Sequence, residues 1–206
     1  VRVICVVADL VASRRIENRE AFQAALTGAL NTINANRTDL LSPYTITLGD
    51  EFQAVYKCGD RLFIDFSFLQ SAIYPTKARF SVGVGSLTTP INPDRAIGMD
   101  GPAFHLAREG ITELKRVPSL FRVMISDSAP TSWINPALDL ISHVQANWRK
   151  TRLQILYGLL LKANVKAIAD QVRLTPAAVY KNIQAGALDT IALLYQRVCD
   201  AVNSAL

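Results

Sequence analysis

The chain has 206 residues, 50% of them hydrophobic, and a formal net charge of +5. That is enough for a medium domain with a small one beside it, and too apolar for a disordered segment. Cys5, Cys58 and Cys199 are scattered, His105 and His143 are the only histidines, and no apolar run nears the roughly eighteen residues of a membrane span. This composition argues against a disulfide scaffold, a zinc site and a membrane protein, and for a cytoplasmic one. Asp9 interrupts the apolar N-terminus, so no signal peptide is expected there.

Residues 3–8 are apolar and rich in β-branched side chains, which fits a strand covered on both faces, ending at Asp9. Residues 18–33 have helical spacing, with Phe22, Ala25, Leu26, Leu30 and Ile33 on one face. Ser42-Pro43 is expected to break the chain. Residues 44–48 and 52–56 then read as two strands joined at Gly49-Asp50-Glu51. Residues 61–73 read as an apolar helix stopped before Pro75. Residues 79–84 read as a strand closed by Gly83-Val84-Gly85, and residues 86–102, with three prolines and two glycines, as a loop. A helix over 103–114 and a strand over 121–125 follow, and everything from Trp133 onward is helical.

The order is β-α-β-β-α-β with an added α-β. It predicts an α+β fold with a ferredoxin-like N-terminal domain, helices covering one face of an antiparallel sheet, followed by an all-α part. The expected divisions are 1–130, a helical linker over 131–147, and 148–206.

Within that last part, residues 165–184 (VKAIADQVRLTPAAVYKNIQ) read as a helix-turn-helix. Ala169 is small enough for close helix crossing, and Ile168 and Val172 share its face. Arg173-Leu174-Thr175 supply the turn, Thr175 suits a helix N-cap and Pro176 the first helical position. Ala178, Val179 and Ile183 form an inward stripe. Arg173, Thr175, Ala177, Tyr180, Lys181 and Gln184 are left facing outward, as DNA-contacting residues would be. Residues 145–206 hold eight Lys and Arg against three Asp, which accounts for the whole net charge of +5. The same residues also fit a hairpin that only packs, or one whose Tyr180 and Lys181 face meets another protein. Ile191, Leu194, Tyr195, Val198 and Val202 give the last helix an apolar face that predicts a homodimer.

Two carboxylates could carry chemistry. Asp9 leaves a buried strand and Asp50 tips the hairpin expected beside it. If they converge, their repulsion would be relieved by a divalent cation such as magnesium. A solvated hairpin tip would carry the same Gly-Asp. Gly98, Asp100 and Gly101-Pro102 lead into a helix N-terminus, which suits an anion or simply starts the helix. His105 falls on that helix's first turn.

Residues 8–14 (ADLVASR), 47–56 (TLGDEFQAVY) and 79–89 (RFSVGVGSLTT) resemble the metal-binding strand, hairpin and following strand of class III nucleotide cyclases. The hairpin also resembles that of GGDEF diguanylate cyclases. The resemblance implies metal at Asp9 and Asp50; Gly49, Glu51, Gly101, His105 and Arg108 are the candidate ligand contacts beside them. It also implies losses. The base-reading lysine falls at Ile46, and the catalytic asparagine and arginine fall at His105 and Glu109, with Arg108 one residue off. Over nearly its full length the chain is similar to the SatD family, through GDEFQAV, IGMDGPAFHLARE and IADQVRLTPAAVYKNIQAG. Together these imply a DNA-binding transcriptional regulator with a degenerate, nucleotide- or magnesium-sensing cyclase-like domain rather than an enzyme. A metal-dependent nucleotide-processing enzyme is the alternative.

Overall fold

The computed structural model describes residues 1–125 and 132–206. The expected end of the first domain at residue 130, and the start of the linker at residue 131, lie outside the described residues. Among the described residues are five strands in one sheet and eight α-helices. The strands are β1 (Arg2–Leu10), β2 (Leu40–Leu48), β3 (Glu51–Tyr56), β4 (Ala78–Ser86) and β5 (Phe121–Ile125). Their spatial order is β2-β3-β1-β4-β5. β1 is antiparallel to β3 and β4, β2 is antiparallel to β3, and β5 is parallel to β4.

β1 is central because it is apolar on both faces. Ile4, Val6, Ala8 and Leu10 join one cluster, and Val3, Cys5 and Val7 join another. Helices α1 (Arg19–Ala35) and α2 (Leu62–Ala72) cover the first face. Helix α3 (Pro102–Leu114) covers the second with Ala103, Phe104, Ala107, Ile111 and Leu114. Helices therefore lie on both faces, not on one as the element order suggested. The second apolar row of β1 needs a cover, and α3 supplies it.

Two expected breaks are not breaks. β2 runs through Ser42-Pro43, with its register to β3 shifting around Ser42. It is an edge strand, where proline's missing N–H is tolerated. The Asn34 side chain closes part of that edge, accepting from Tyr44 N at 2.8 Å and donating to Tyr44 O at 2.9 Å. β4 likewise runs through Gly83-Val84-Gly85. A Cβ at Gly83 would stand 2.6 Å from Ala107 N and closer still to the Ala103 carbonyl. These glycines bring α3 down onto the sheet.

The remaining helices are α4 (Ile134–Gln145), α5 (Lys150–Leu160), α6 (Val165–Val172), α7 (Pro176–Gly186) and α8 (Leu188–Asn203). α4 covers β5, with the Asn135 amide bonded to both N and O of Val123 at 2.9 Å. α5 and α8 pack on α2, so one apolar cluster runs from the sheet into the C-terminal helices. Phe63 and Tyr195 stack there with centroids 4.0 Å apart. The apolar face of α8 on which the homodimer expectation rested is thus covered within the chain. Ile191, Tyr195, Val198 and Val202 are buried, and Leu194 is half-buried. No helix among the described residues is long and apolar enough to cross a membrane.

Candidate functional site

Asp9 is the next-to-last residue of β1 and is 5% exposed. Strand register sets Glu51 opposite it on β3 and Arg79 opposite it on β4. Arg79 Nη1 donates to Asp9 Oδ1 at 2.9 Å, and Lys115 Nζ, just beyond α3, lies 2.8 Å from Oδ2. Lys115 also reaches Glu51 at 3.5 Å. Its hydrogen bond to Asp9, more than any other contact, raises its pKa above the usual lysine value. A charge buried beside a strand needs partners, and here two cations supply them. The unpaired carboxylate that the sequence argument assumed at Asp9 is therefore not found. A magnesium ion there would have to displace Arg79 or Lys115.

Asp50 faces a different neighbour. Ser13 Oγ donates to its Oδ2 at 2.7 Å, and its backbone O accepts from Leu10 N at 3.1 Å. Gly49 turns the hairpin at φ +42°, and its carbonyl accepts from Gln23 Nε2 at 2.9 Å. Among the described residues, no group of three or more His, Cys, Asp or Glu side chains could hold a metal.

Glu51 and Lys115 line a cavity of about 460 Å³ between the β2–β3 hairpin, α3 and residues 97–99. Val7, Met99 and Ile111 form its apolar wall, and Arg108 enters from α3. The loop carrying Met99 is held to the hairpin. Ser42 Oγ donates to Asn92 O, Gln53 Nε2 donates to Ala96 O, and Thr45 Oγ1 accepts from Ala96 N at 2.9 Å.

Gly101 and His105 belong to the other end of α3 and do not line this cavity. Gly101, at φ +143°, packs where a Cβ would stand 2.7 Å from Thr88 N. Exposed His105 meets Asp100 at 2.9 Å. The backbone N–H of Gly101, with smaller help from His105 and Arg108, lowers the Asp100 pKa.

The second candidate surface is α6, α7 and their turn. Asn164 caps α6 by accepting from Ala167 N at 2.9 Å. Arg173, at φ 56°, ends α6, and Leu174 N closes the turn onto Ala169 O at 3.0 Å. Thr175 Oγ1 accepts from Ala178 N at 3.2 Å, with Pro176 opening α7. Ile168, Ala169, Val179 and Ile183 are buried. Arg173, Thr175, Ala177, Tyr180, Lys181 and Gln184 are all exposed. On α7, positions 177, 180, 181 and 184 make one stripe.

A model of the SatD family matches residues 3–201. The chain belongs to the SatD family. No curated protein matches it. A solved structure that does, a regulator of polyketide synthase expression from Bifidobacterium adolescentis, aligns over 96% of this chain and 82% of that one. Its identity is 14% and its TM-score 0.29, too low to carry an argument about fold or role.

In this SatD-family chain the structure puts Glu51 and Arg108 on one cavity, ties Asp9 to it through Lys115, and leaves Gly101 and His105 outside the lining at the start of α3. Sequence reasoning missed Arg79 and Lys115, the cations that hold Asp9. Arg79 was visible only as the start of a strand, because its role depends on register with β1. Lys115 follows a helix end and gives no spacing signal.

Proposed function

We propose that this SatD-family protein is a DNA-binding regulator whose sheet layer senses a small ligand. In this reading α6 and α7 are a helix-turn-helix with α7 as the recognition helix, and residues 148–206 form the DNA-binding part. Residues 1–130 form a ferredoxin-like, degenerate cyclase-like sensor, with 131–147 between them. The strand order β4-β1-β3-β2, antiparallel throughout, supports the ferredoxin-like assignment. The observation that carries the reading is the capped, exposed α7 stripe of Ala177, Tyr180, Lys181 and Gln184, in the segment that holds the net positive charge. A homodimer belongs to this reading because one helix-turn-helix reads only a half-site. A nucleotide ligand and a cytoplasmic setting also belong to it as proposals, as does magnesium at Asp9 and Asp50, which would have to displace Arg79 or Lys115 from Asp9.

The test is binding of the full-length protein to a mixed pool of genomic duplex fragments across a salt series. Affinity should fall linearly in the logarithm of salt concentration as counterions are released. Lys181→Ala should weaken binding to all sequences and lower the salt slope by about one. Tyr180→Ala or Gln184→Ala should instead change which fragments are preferred. Absence of any salt-sensitive binding would overturn the reading.

The enzyme alternative has one observation in its favour, since Arg108 does line the cavity. Against it, the carboxylate that should hold metal is engaged by Arg79 and Lys115. Cyclic nucleotide formed from ATP or GTP, and lost in Arg108→Ala, would favour it.

A further inference from the structure

We propose that the cavity between the β2–β3 hairpin and α3 binds a small organic carboxylate, held by Arg108 and seated on Val7, Met99 and Ile111. This rests on the sensor half of the reading above and puts a carboxylate in place of the nucleotide given there.

The size is right for a small molecule. About 460 Å³ falls in the range of small-ligand sites, and the lining is about half polar and half apolar. The apolar wall comes from three separate elements. Val7 from β1, Ile111 from α3 and Met99 from the loop are 4%, 4% and 6% exposed. They are set in the core, so the wall is preformed. The loop is tied to the hairpin through Asn92 and Ala96, so the cavity does not depend on a ligand to shape it.

The charge decides the class. Among the residues that line the cavity, Arg108 and Lys115 stand against Glu51, which leaves one positive charge in excess; Asp100, which also feels Arg108, lies outside the lining. Arg79 and Lys115 are engaged by Asp9, and Lys115 by Glu51 as well. Arg108 has no carboxylate within ion-pair reach among the described residues. Its guanidinium carbon lies 5.9 Å from the centroid of the buried Phe104 ring. A ring contact of that kind does not consume the guanidinium N–H donors, which can still meet a carboxylate. A phosphate monoester fits worse. It would bring about two negative charges towards Glu51 with only one cation left to meet them. Other polar groups are already used, since Gln53 donates to Ala96 O and Thr112 Oγ1 donates to Arg108 O at 3.0 Å. Glu51 remains to accept from a hydroxyl or amino group on the ligand's far end.

The test uses the full-length protein without DNA or added metal. Calorimetric titrations compare phenylacetate, 4-hydroxyphenylacetate and 4-methylpentanoate with neutral phenylacetamide, AMP and inorganic phosphate. Phenylacetate should bind about tenfold or more tightly than phenylacetamide, a difference of about 1.4 kcal/mol. Arg108→Ala should erase that preference and Arg108→Lys should restore part of it. Arg108 is exposed, so both variants should keep the native melting temperature. Backbone amide shifts should centre on Thr47, Gly98 and Thr112. Three results would each overturn the proposal: no carboxylate of the panel binds, the preference survives Arg108→Ala, or AMP or phosphate binds more tightly than the carboxylates. Because DNA is absent, failure here leaves salt-dependent DNA binding standing, and failure of DNA binding leaves this result standing.

Discussion

Asp65 shows how one buried carboxyl sets a pH dependence. It sits in α2 at 2% exposure, with Tyr56 Oη donating to Oδ2 at 2.8 Å and Arg61 Nη2 3.1 Å from Oδ1. Tyr56 Oη also lies 3.0 Å from the Tyr44 hydroxyl. Burial, the largest influence, pushes the Asp65 carboxyl from 3.8 up to about 6, with Arg61 and then Tyr56 opposing. The folded protein therefore holds this proton more tightly than the unfolded chain does. Its contribution is fully present below pH 4 and is lost as pH rises through about 6. Asp65→Asn keeps the side chain neutral at every pH. The stability of the variant relative to the native chain should rise between pH 4 and pH 7, by about 3 kcal/mol at most. Urea unfolding at a series of pH values measures this, and parallel stability curves would show that Asp65 does not titrate as argued. At Asp9 the structure also fixes the sign of a substitution. Were the carboxylate unpaired, Asp9→Asn would relieve repulsion. With Arg79 and Lys115 on it, the change should cost about 2 kcal/mol, less than a fully buried pair because Lys115 is 47% exposed. A melting temperature that rises in Asp9→Asn would mean the ion pairs contribute nothing.

At the scale of elements, close helix approach depends on glycine. Gly83→Ala forces a methyl group into the backbone of α3 at Ala103 and Ala107, so α3 must lift from β4. The expected loss is about 1–3 kcal/mol, as for other overpacked sites. Thr175→Ala removes the cap of α7 and should cost about 1 kcal/mol. Denaturant midpoints check both, and the Gly83 variant should also open the cavity that Ile111 and Met99 line. Much of this architecture was legible in the sequence. Residues 121–125 and the starts of α1 and α7 follow from periodicity and capping side chains, which act within a few residues of one another. The buried and exposed faces of α6 and α7 follow from the same local rules. What was not legible depends on partners distant in sequence. Pro43 looks like a break until β2 is known to be an edge strand. Gly83 and Gly85 look like a stop until α3 is laid on them. Asp9 looks unpaired until register brings Arg79 across from β4 and the end of α3 brings Lys115.

Over the whole molecule, the two expected parts do not behave as beads on a string. Phe63 of α2 stacks on Tyr195 of α8, and both Phe63 and Phe66 pack towards Phe121 of β5. Asn203 at the end of α8 accepts from Gly59 N and donates to Asp60, each at 2.6 Å. α2 is thus shared, with one side on the sheet and the other on α5 and α8. A shared helix gives a physical route by which a change in the sheet layer could reach α7, provided that the molecule has two arrangements to choose between. It also predicts how the chain unfolds. Trp133 and Trp148 are the only tryptophans, Trp133 beside α4 and Trp148 buried between α4 and α5 near Gln70 and Leu120, so their fluorescence follows the packing of these helices on the sheet layer. Far-UV circular dichroism follows the whole backbone. If the apolar cluster is one cooperative unit, the two signals should give coincident urea transitions. Tyr195→Ala removes a fully buried ring from the seam and should lower stability by about 3–5 kcal/mol, moving both transitions together. Were the fluorescence transition to shift to lower urea while the dichroism kept a second, unmoved step, the C-terminal helices would be folding on their own, and α2 would not couple them to the sheet.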